Sequence, residues 1–525
     1  MVKNEKTSLL FFILIAIILI TTSAFIISLY QPVNYLLYIA CFSFAAILFT
    51  FSIYNPEGSF ILFIFLTPLV ESSRTVFNSR DFNFNFFLFL GLFLGGIINF
   101  IKNKNTIDFN HRIYKPALVA IAISLISFLT VIFRVKILPY LGYGMRNFQV
   151  NIIGFPNDRA LFYASNYFLL FLSGLLLVFY ITRIKFNKSS LILIFYLLSA
   201  GFLITFFIAI YQIKINADFG NFFNYAVAKR MNSTLNDPNS FSNYLSIIFP
   251  VFIGFGYCLY GYKKIIGVFS FLLALLALFV IPYTGARIGF LGVILVTLFY
   301  LFYVRKLIAY KIFLKHKKNK IIIIILSYLI IFIILFIGIF GSYTLIEKYG
   351  ISKNLPSGLQ RFASNIYYAT HNAFKEILYD RTKLWRQAIN MFLAHPVTGV
   401  GIGQYLFELP NYNYRFYGNP KMVFDNTCNL YLETLAEMGI FQLIMILWFL
   451  VEVILAFIFV YRKMQDNKFK FFVMNLFLSF IIMLIIYSAT GVTSSFAVRY
   501  LFFTIIGVIV NFRIRFEDYR DIFKF

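Results

Sequence analysis

Apolar residues in this chain come in long unbroken runs, and polar residues collect between the runs instead of alternating within them. Runs of about 18 to 25 residues match the length a helix needs to cross about 30 Å of hydrocarbon. Such runs fall at 9–30, 33–54, 59–71, 84–101, 116–133, 161–182, 191–213, 241–260, 265–283, 288–304, 321–342, 439–460, 471–489 and 496–512. The third is short and contains Pro68, so it is either re-entrant or not a span. Helices are expected because a span in lipid must satisfy its own backbone hydrogen bonds. The short alternating segments of a membrane barrel are absent. The first run, "LLFFILIAIILITTSAFIISLY", is too long for a signal-peptide core and lacks a small-residue cleavage site, so it reads as a retained span. The expected fold is an all-α polytopic membrane protein of about 12–14 transmembrane helices, with one large outer loop containing short helices.

The polar segments are of two kinds. One kind is short and basic: Lys102, Lys104, Arg112 and Lys115; Arg183, Lys185 and Lys188; Lys263 and Lys264; "RKLIAYKIFLKHKKNK" at 305–320; Arg462, Lys463, Lys468 and Lys470; and Arg513, Arg515, Arg520 and Lys524. All share the side of Lys3 and Lys6 if the spans alternate, and basic loops belong in the cytoplasm. The other kind, 214–240 and 343–438, is long, polar and aromatic, and is expected outside. A loop as long as 343–438 is functional more often than slack. The expected organisation is N-terminal membrane helices over 1–210, a core with its outer loop over 211–460, and C-terminal helices with a short cytoplasmic tail over 461–525.

Composition agrees. Hydrophobic residues make up 61% of the chain, charged residues 13%, and mean hydropathy is +0.83. The net charge of +26 would suit a nucleic-acid binder. Here the cations flank spans, so the expected partner is the lipid bilayer and no nucleic acid. Cys41 and Cys258 fall in spans and Cys428 in a loop, which gives neither a disulfide framework nor zinc spacing.

Four stretches stand out from the apolar background. In "RTKLWRQAINMFLAHPVTGVGIGQY" (381–405), Asp380 can cap a helix starting at Arg381. Leu384, Trp385, Ala388, Ile389, Phe392 and Leu393 recur on one face. Pro396 stops the pattern, and Gly399, Gly401 and Gly403 make a tight loop. The picture is a helix on the outer membrane surface with Trp385 at headgroup level, Arg381 in its first turn and Arg386 on its polar flank. Periodicity alone fits a plain interfacial helix with snorkelling arginines equally well. In "KRMNSTLNDPNSFSNYLSIIFP" (229–250), Asp237 and Pro238 form an N-cap and first-turn pair, and Asn236, Asn239, Ser240 and Asn243 cluster at the mouth of a span. An ordinary polar helix start reads the same way. In "IPYTGARIGFLGV" (281–293), Arg287 sits at a span end, where it either snorkels or pairs with an anion. In "DNTCNLYLETLAEMGIF" (425–441), Asp425, Asn426 or Thr427 can cap a short helix running to Gly439, a pattern that also fits a plain loop-to-span junction.

The shared side is the stronger signal. Arg230, Arg287 and Arg381 all fall on the outer side, and a guanidinium fork binds two phosphate oxygens at once. No carboxylate pair there suits a divalent metal, so neither a metal nor a cofactor is expected.

These four stretches, in order over about 210–450, resemble the O-antigen ligase and polymerase family of bacterial membrane glycosyltransferases. The matching features are Arg230 followed by "DPNSFSNYL", "TGARIG" with Arg287, Arg381 and Trp385 followed by "HPVTGVGIG", and "CNLYLETLAEMG". The resemblance implies a glycan linked to undecaprenyl diphosphate as donor and a glycan or lipid-linked acceptor. It places the protein in the bacterial inner membrane with its site facing the periplasm. An acceptor hydroxyl attacks the anomeric carbon and the lipid diphosphate leaves. Arg287 and Arg381 are the expected catalytic cations, and Arg230, Asn239, Trp385, Arg386, His395 and Asn429 the expected substrate-binding residues.

One position departs from the family. Its ligases carry His where this chain has Cys428, and a thiol is a poor replacement for imidazole at neutral pH. Either base catalysis is minor, or Asp425 or His395 acts, or the chain is not a standard ligase. His395 also reads as a helix terminator. This departure tilts the expectation slightly toward a polymerase. A transporter or flippase for lipid-linked glycans is the rival reading, but such folds show internal repeats and broken helices at midplane, which the sequence lacks.

Overall fold

The structure, a computed structural model, describes residues 33–71, 84–103, 111–137, 159–216, 219, 230–235, 237–286, 289, 292–300, 374–412, 427–488 and 495–519. Among the described residues every regular element is helical. In chain order these are α1 (Val33–Tyr54), α2 (Pro56–Val70), α3 (Phe84–Lys102), α4 (Tyr114–Ile132), α5 (Arg159–Ile181), α6 (Lys188–Lys214), α7 (Pro238–Tyr260) and α8 (Lys264–Val280). Then come α9 (Phe374–Ala394), α10 (Tyr405–Glu408), α11 (Leu430–Lys463), α12 (Asn467–Tyr487), α13 (Phe496–Ile514) and α14 (Phe516–Tyr519). A π-helical turn, Phe133–Ile137, extends α4, and a 3-10 turn, Ile281–Thr284, extends α8.

Nine of the described helices, α3 to α8 and α11 to α13, are long and apolar enough to cross a membrane. The fold is an all-α polytopic membrane protein. The expected runs 9–30 and 321–342 lie outside the described residues, and 288–304 lies partly outside. The doubtful run 59–71 is a real helix, α2, which begins at Pro56 behind an Asn55 cap and continues through Pro68. Its 15 residues fall short of the roughly 20 that a full span needs.

The helices sort into interior and rim. The spanning windows of α7 and α13 are 89% and 83% buried, against 33% for α4 and α11. The rim helices turn apolar stripes outward: Ile265, Val268, Leu272, Leu275 and Phe279 on α8, and Ile444, Leu447, Val451 and Leu455 on α11. Contiguous exposed apolar faces of this kind suit lipid. Inside, small polar side chains bind the main chain of neighbouring helices. Ser479 Oγ donates to Ile247 O at 2.8 Å, joining α12 to α7, and Ser270 Oγ donates to Phe252 O at 2.7 Å, joining α8 to α7. Asn511 Nδ2 bonds Ile181 O and Ile184 O, joining α13 to the end of α5.

Candidate functional site

The charged segment at 381–405 forms the end of α9 and a glycine loop. The helix starts by Phe374, so Asp380 lies inside it and does not cap it. The reason is local: 374–380 holds no Gly or Pro, and Lys375, Glu376 and Leu378 are strong helix formers. The apolar face also differs from the expected stripe. Leu384, Ala388 and Met391 are fully buried, and α9 packs against α11. Trp385 and Phe392 are half-buried, while Ile389, Leu393 and Val397 leave an exposed apolar edge. Arg381 is half-buried and Arg386 exposed.

His395 closes the helix. Its backbone N–H bonds Met391 O and Phe392 O, and the residue is exposed. The loop that follows takes left-handed backbone at Gly399 (φ 64°), Gly401 (φ 112°) and Gly403 (φ 69°). This conformation lets main chain meet main chain. Val400 N donates to Ala436 O, Gly401 N to Glu437 O, and Ile440 N to Pro396 O. The receiving helix breaks at Gly439 (φ 77°, ψ −175°) so that the loop fits. A Cβ on Gly399 would lie 2.2 Å from the Glu437 carbonyl carbon, and one on Gly439 2.2 Å from Val397 O. The Glu437 carboxylate then reaches back, accepting Gly403 N at 2.8 Å and Tyr405 N at 3.0 Å.

The spans pin this joint from below. Ser127 on α4 accepts Ile402 N through Oγ, and Gln404 Nε2 donates to Ala160 O on α5. Arg134, on the π-helical turn, donates to Val400 O at 2.6 Å and pairs with Glu408 at 2.5 Å. Burial, with Glu408 beside it, pushes the Tyr412 hydroxyl above the usual tyrosine range, and Arg134 opposes the shift.

The start of α11 corrects the capping expectation. The cap is Asn429, whose Oδ1 accepts Tyr431 N and Leu432 N, while its Nδ2 donates to Ser488 O at the end of α12. Thr427 supports this turn, and Asp425 and Asn426 lie outside the described residues. Cys428 is half-buried and holds a positive φ of 54°, a strained value for a residue with a side chain.

At the start of α7, Asp237 caps through Asn239 N and Ser240 N, as the Asp-Pro pair predicts. Arg230 is buried, and its Nε donates to Thr284 O at 3.0 Å and its Nη2 to Asn239 Oδ1 at 3.1 Å. Arg230, Asn239 and the turn leading toward Arg287 therefore meet in one junction. Arg287 itself lies outside the described residues.

A family model described as O-Antigen ligase matches residues 272–447. The chain carries the domain of the O-antigen ligase/polymerase family. No curated protein matches the chain. The O-antigen ligase domain contains the turn Ile281–Thr284, the position of Arg287, α9, the glycine loop and the start of α11, whereas Arg230 and Asn239 precede it. Its activity is glycosyltransferase-like, of the ligase/polymerase type, in surface polysaccharide synthesis, and the protein is a multi-pass bacterial membrane protein.

The ligase domain also shares a cavity of about 90 Å³ with α4, α5, α12 and α13. Glu433, Thr434 and Glu437 line it from α11, Tyr487 from α12 and Arg499 from α13. Of these, only Glu437 falls in the expected pattern, as the glutamate before Gly439 that ends "CNLYLETLAEMG"; Glu433, Thr434, Tyr487, Arg499, Arg134 and Glu408 are not among the expected site residues. Arg499 and the two glutamates carry a readable signal, a charge within apolar sequence, which marks functional positions in membrane proteins. The Arg134–Glu408 pair carried none, because its members are 274 residues apart. Among the described residues no group of three or more His, Cys, Asp or Glu gathers to hold a metal ion.

Proposed function

We propose that the protein is a glycosyltransferase at the outer face of the cytoplasmic membrane that extends surface polysaccharide from an undecaprenyl-diphosphate-linked oligosaccharide, polymerising it rather than ligating it. Arg287 and Arg381 hold the donor diphosphate. A hydroxyl of the acceptor glycan attacks the anomeric carbon, the bond from that carbon to the diphosphate oxygen breaks, and the lipid diphosphate leaves with the electron pair. The guanidinium groups stabilise the charge growing on it and take the place of a metal. Asp425, three residues before Cys428 in the sequence, takes the proton of the attacking hydroxyl.

The observation that carries this reading is the Arg230 junction. Its bonds to Asn239 and Thr284 tie the first of the family's motifs to the turn that leads toward Arg287.

The glycan profile of a deletion strain tests the reading. Loss of a polymerase leaves single-repeat caps, and loss of a ligase leaves uncapped core. Lipid-linked donor that accumulates with normal flipping marks an enzyme, and blocked flipping contradicts the proposal. Sidedness is tested by cysteines placed at 360 and 312 and an impermeant reagent on intact cells. Labelling at 360 alone is expected, and labelling at 312 alone reverses the topology.

A further inference from the structure

We infer that the cavity between α4, α5, α11, α12 and α13 binds an amphipathic ligand, a neutral sugar head on a hydrocarbon chain, with Arg499 gripping the head. It rests on the glycan-transferring reading only in linking that sugar to the protein's substrates.

The cavity is narrow, about 90 Å³, and partly open, and like ligand sites in general it is mostly apolar with a few placed polar groups. It has two ends. Tyr167, Glu433, Glu437, Tyr487 and Arg499 gather at one. Ala117, Leu175, Phe449, Leu450 and Phe503 line the other. Along α11 the glutamates precede Phe449 by twelve residues or more, which is roughly 18 Å of helix. The polar end therefore lies at the level of the docked glycine loop, and the apolar end lies well inside the span.

Arg499 is 6% exposed, and its Nε and Nη2 have no hydrogen-bond partner. It takes part in none of the ion pairs among the described residues. Buried charge-bearing donors left unfilled are costly, so a bound molecule completes this site. Nε and Nη2 share one edge of the guanidinium and present two parallel donors to two neighbouring oxygens. A phosphate fits that edge by shape. However, Glu433 and Glu437 are electrostatic neighbours of the same guanidinium, and two carboxylates already oppose one cation. A further anion is repelled there. Two adjacent hydroxyls fit instead, because each accepts from the arginine and can donate to a carboxylate. Adjacent hydroxyls with apolar ring faces are the chemistry of a sugar, and Tyr167, Tyr487 and Phe502 supply aromatic walls. The apolar end then takes a hydrocarbon chain.

The test uses the full-length protein in lipid nanodiscs and a photoreactive alkyl glucoside with the reactive group in its chain, mapped by mass spectrometry. Labelling is expected on the segments carrying Phe449 and Phe503. Dodecyl glucoside should compete at least tenfold better than dodecyl phosphate or dodecanol. Arg499→Gln should cut labelling at least tenfold. Leu450→Trp, which fills the chain end and leaves Arg499 intact, should do the same, so the proposal stays testable if the buried Arg499→Gln variant misfolds. Equal or better competition by dodecyl phosphate overturns the sugar head, as does equal competition by dodecanol. Unchanged labelling in both variants overturns the site. Glycan transfer measured on the same preparations separates the two readings: transfer without specific labelling refutes only this site, and labelling without transfer refutes only the enzyme.

Discussion

The glycine loop and the Arg230 junction both join distant parts of the chain, and they do so by opposite means. At the loop, main chain docks on main chain, with Gly399 and Gly439 each removing a side chain that would strike the other strand. At the junction, a charged side chain reaches across to a carbonyl and an amide. The first arrangement uses the glycines to let the two segments meet, with both Glu437 oxygens accepting backbone N–H groups. The second leaves a cation beside the turn to Arg287. In the loop the glycines set the fold, whereas the proposed chemistry falls to the arginines.

This contrast can be broken at several points. Gly439→Ala should have the largest effect on stability, because it combines a left-handed backbone penalty of about 1–2 kcal/mol with overpacking of about 1–3 kcal/mol. Thermal unfolding in detergent should show a marked drop, and an unchanged midpoint would mean that the loop does not dock as described. Glu437→Gln follows, because an amide can accept only one of the two N–H groups with its oxygen, leaving the other unpaired at a cost of about 1–3 kcal/mol. Arg230→Lys should cost about 1 kcal/mol, the loss of one hydrogen bond, while transfer falls and the loop stays docked. If Arg230→Lys unfolds the protein as badly as Gly439→Ala, the division between architecture and chemistry fails. His395→Ala should be smallest, within about 0.5 kcal/mol, because the side chain is exposed and the helix-ending bonds come from its backbone. A large loss of transfer in a stable His395→Ala protein would restore it as a base.

Much of this was legible in the sequence. Hydropathy located the spans because a lipid-facing helix has to be apolar along its length, as α8 shows with its outward Ile265, Leu272 and Phe279. The Asp237 cap and the stop at Pro396 were legible because they depend on a few adjacent residues. The start of α9 was not, because Asp380 is a good cap only if the residues before it leave the helix, and nothing there compels that. The Asn429 cap was missed among four neighbouring polar residues, and its link to Ser488 decides between them only in three dimensions. Met391 was overlooked on α9 because its burial depends on how α9 lies against α11. The glycine run read as an adaptable loop, whereas its partner is the kink at Gly439, a second motif in the same chain. Arg499 stands at the start of a span, where sequence alone shows a lone cation, and its setting comes from Glu433 and Glu437 on another helix.

The most direct test of the central claim, that the arginines of the family pattern drive the transfer, is the rate of lipid-linked glycan transfer by Arg381→Ala protein in membrane vesicles at matched expression, with thermal unfolding followed in parallel. Arg381 is half-buried on a helix whose core contacts are made by Leu384, Ala388 and Met391. The account predicts a loss of roughly 100- to 1,000-fold in rate with an unchanged unfolding midpoint, and poor rescue by Arg381→Lys, which keeps the charge and loses the fork. Near-normal transfer by the Arg381→Ala protein would contradict it.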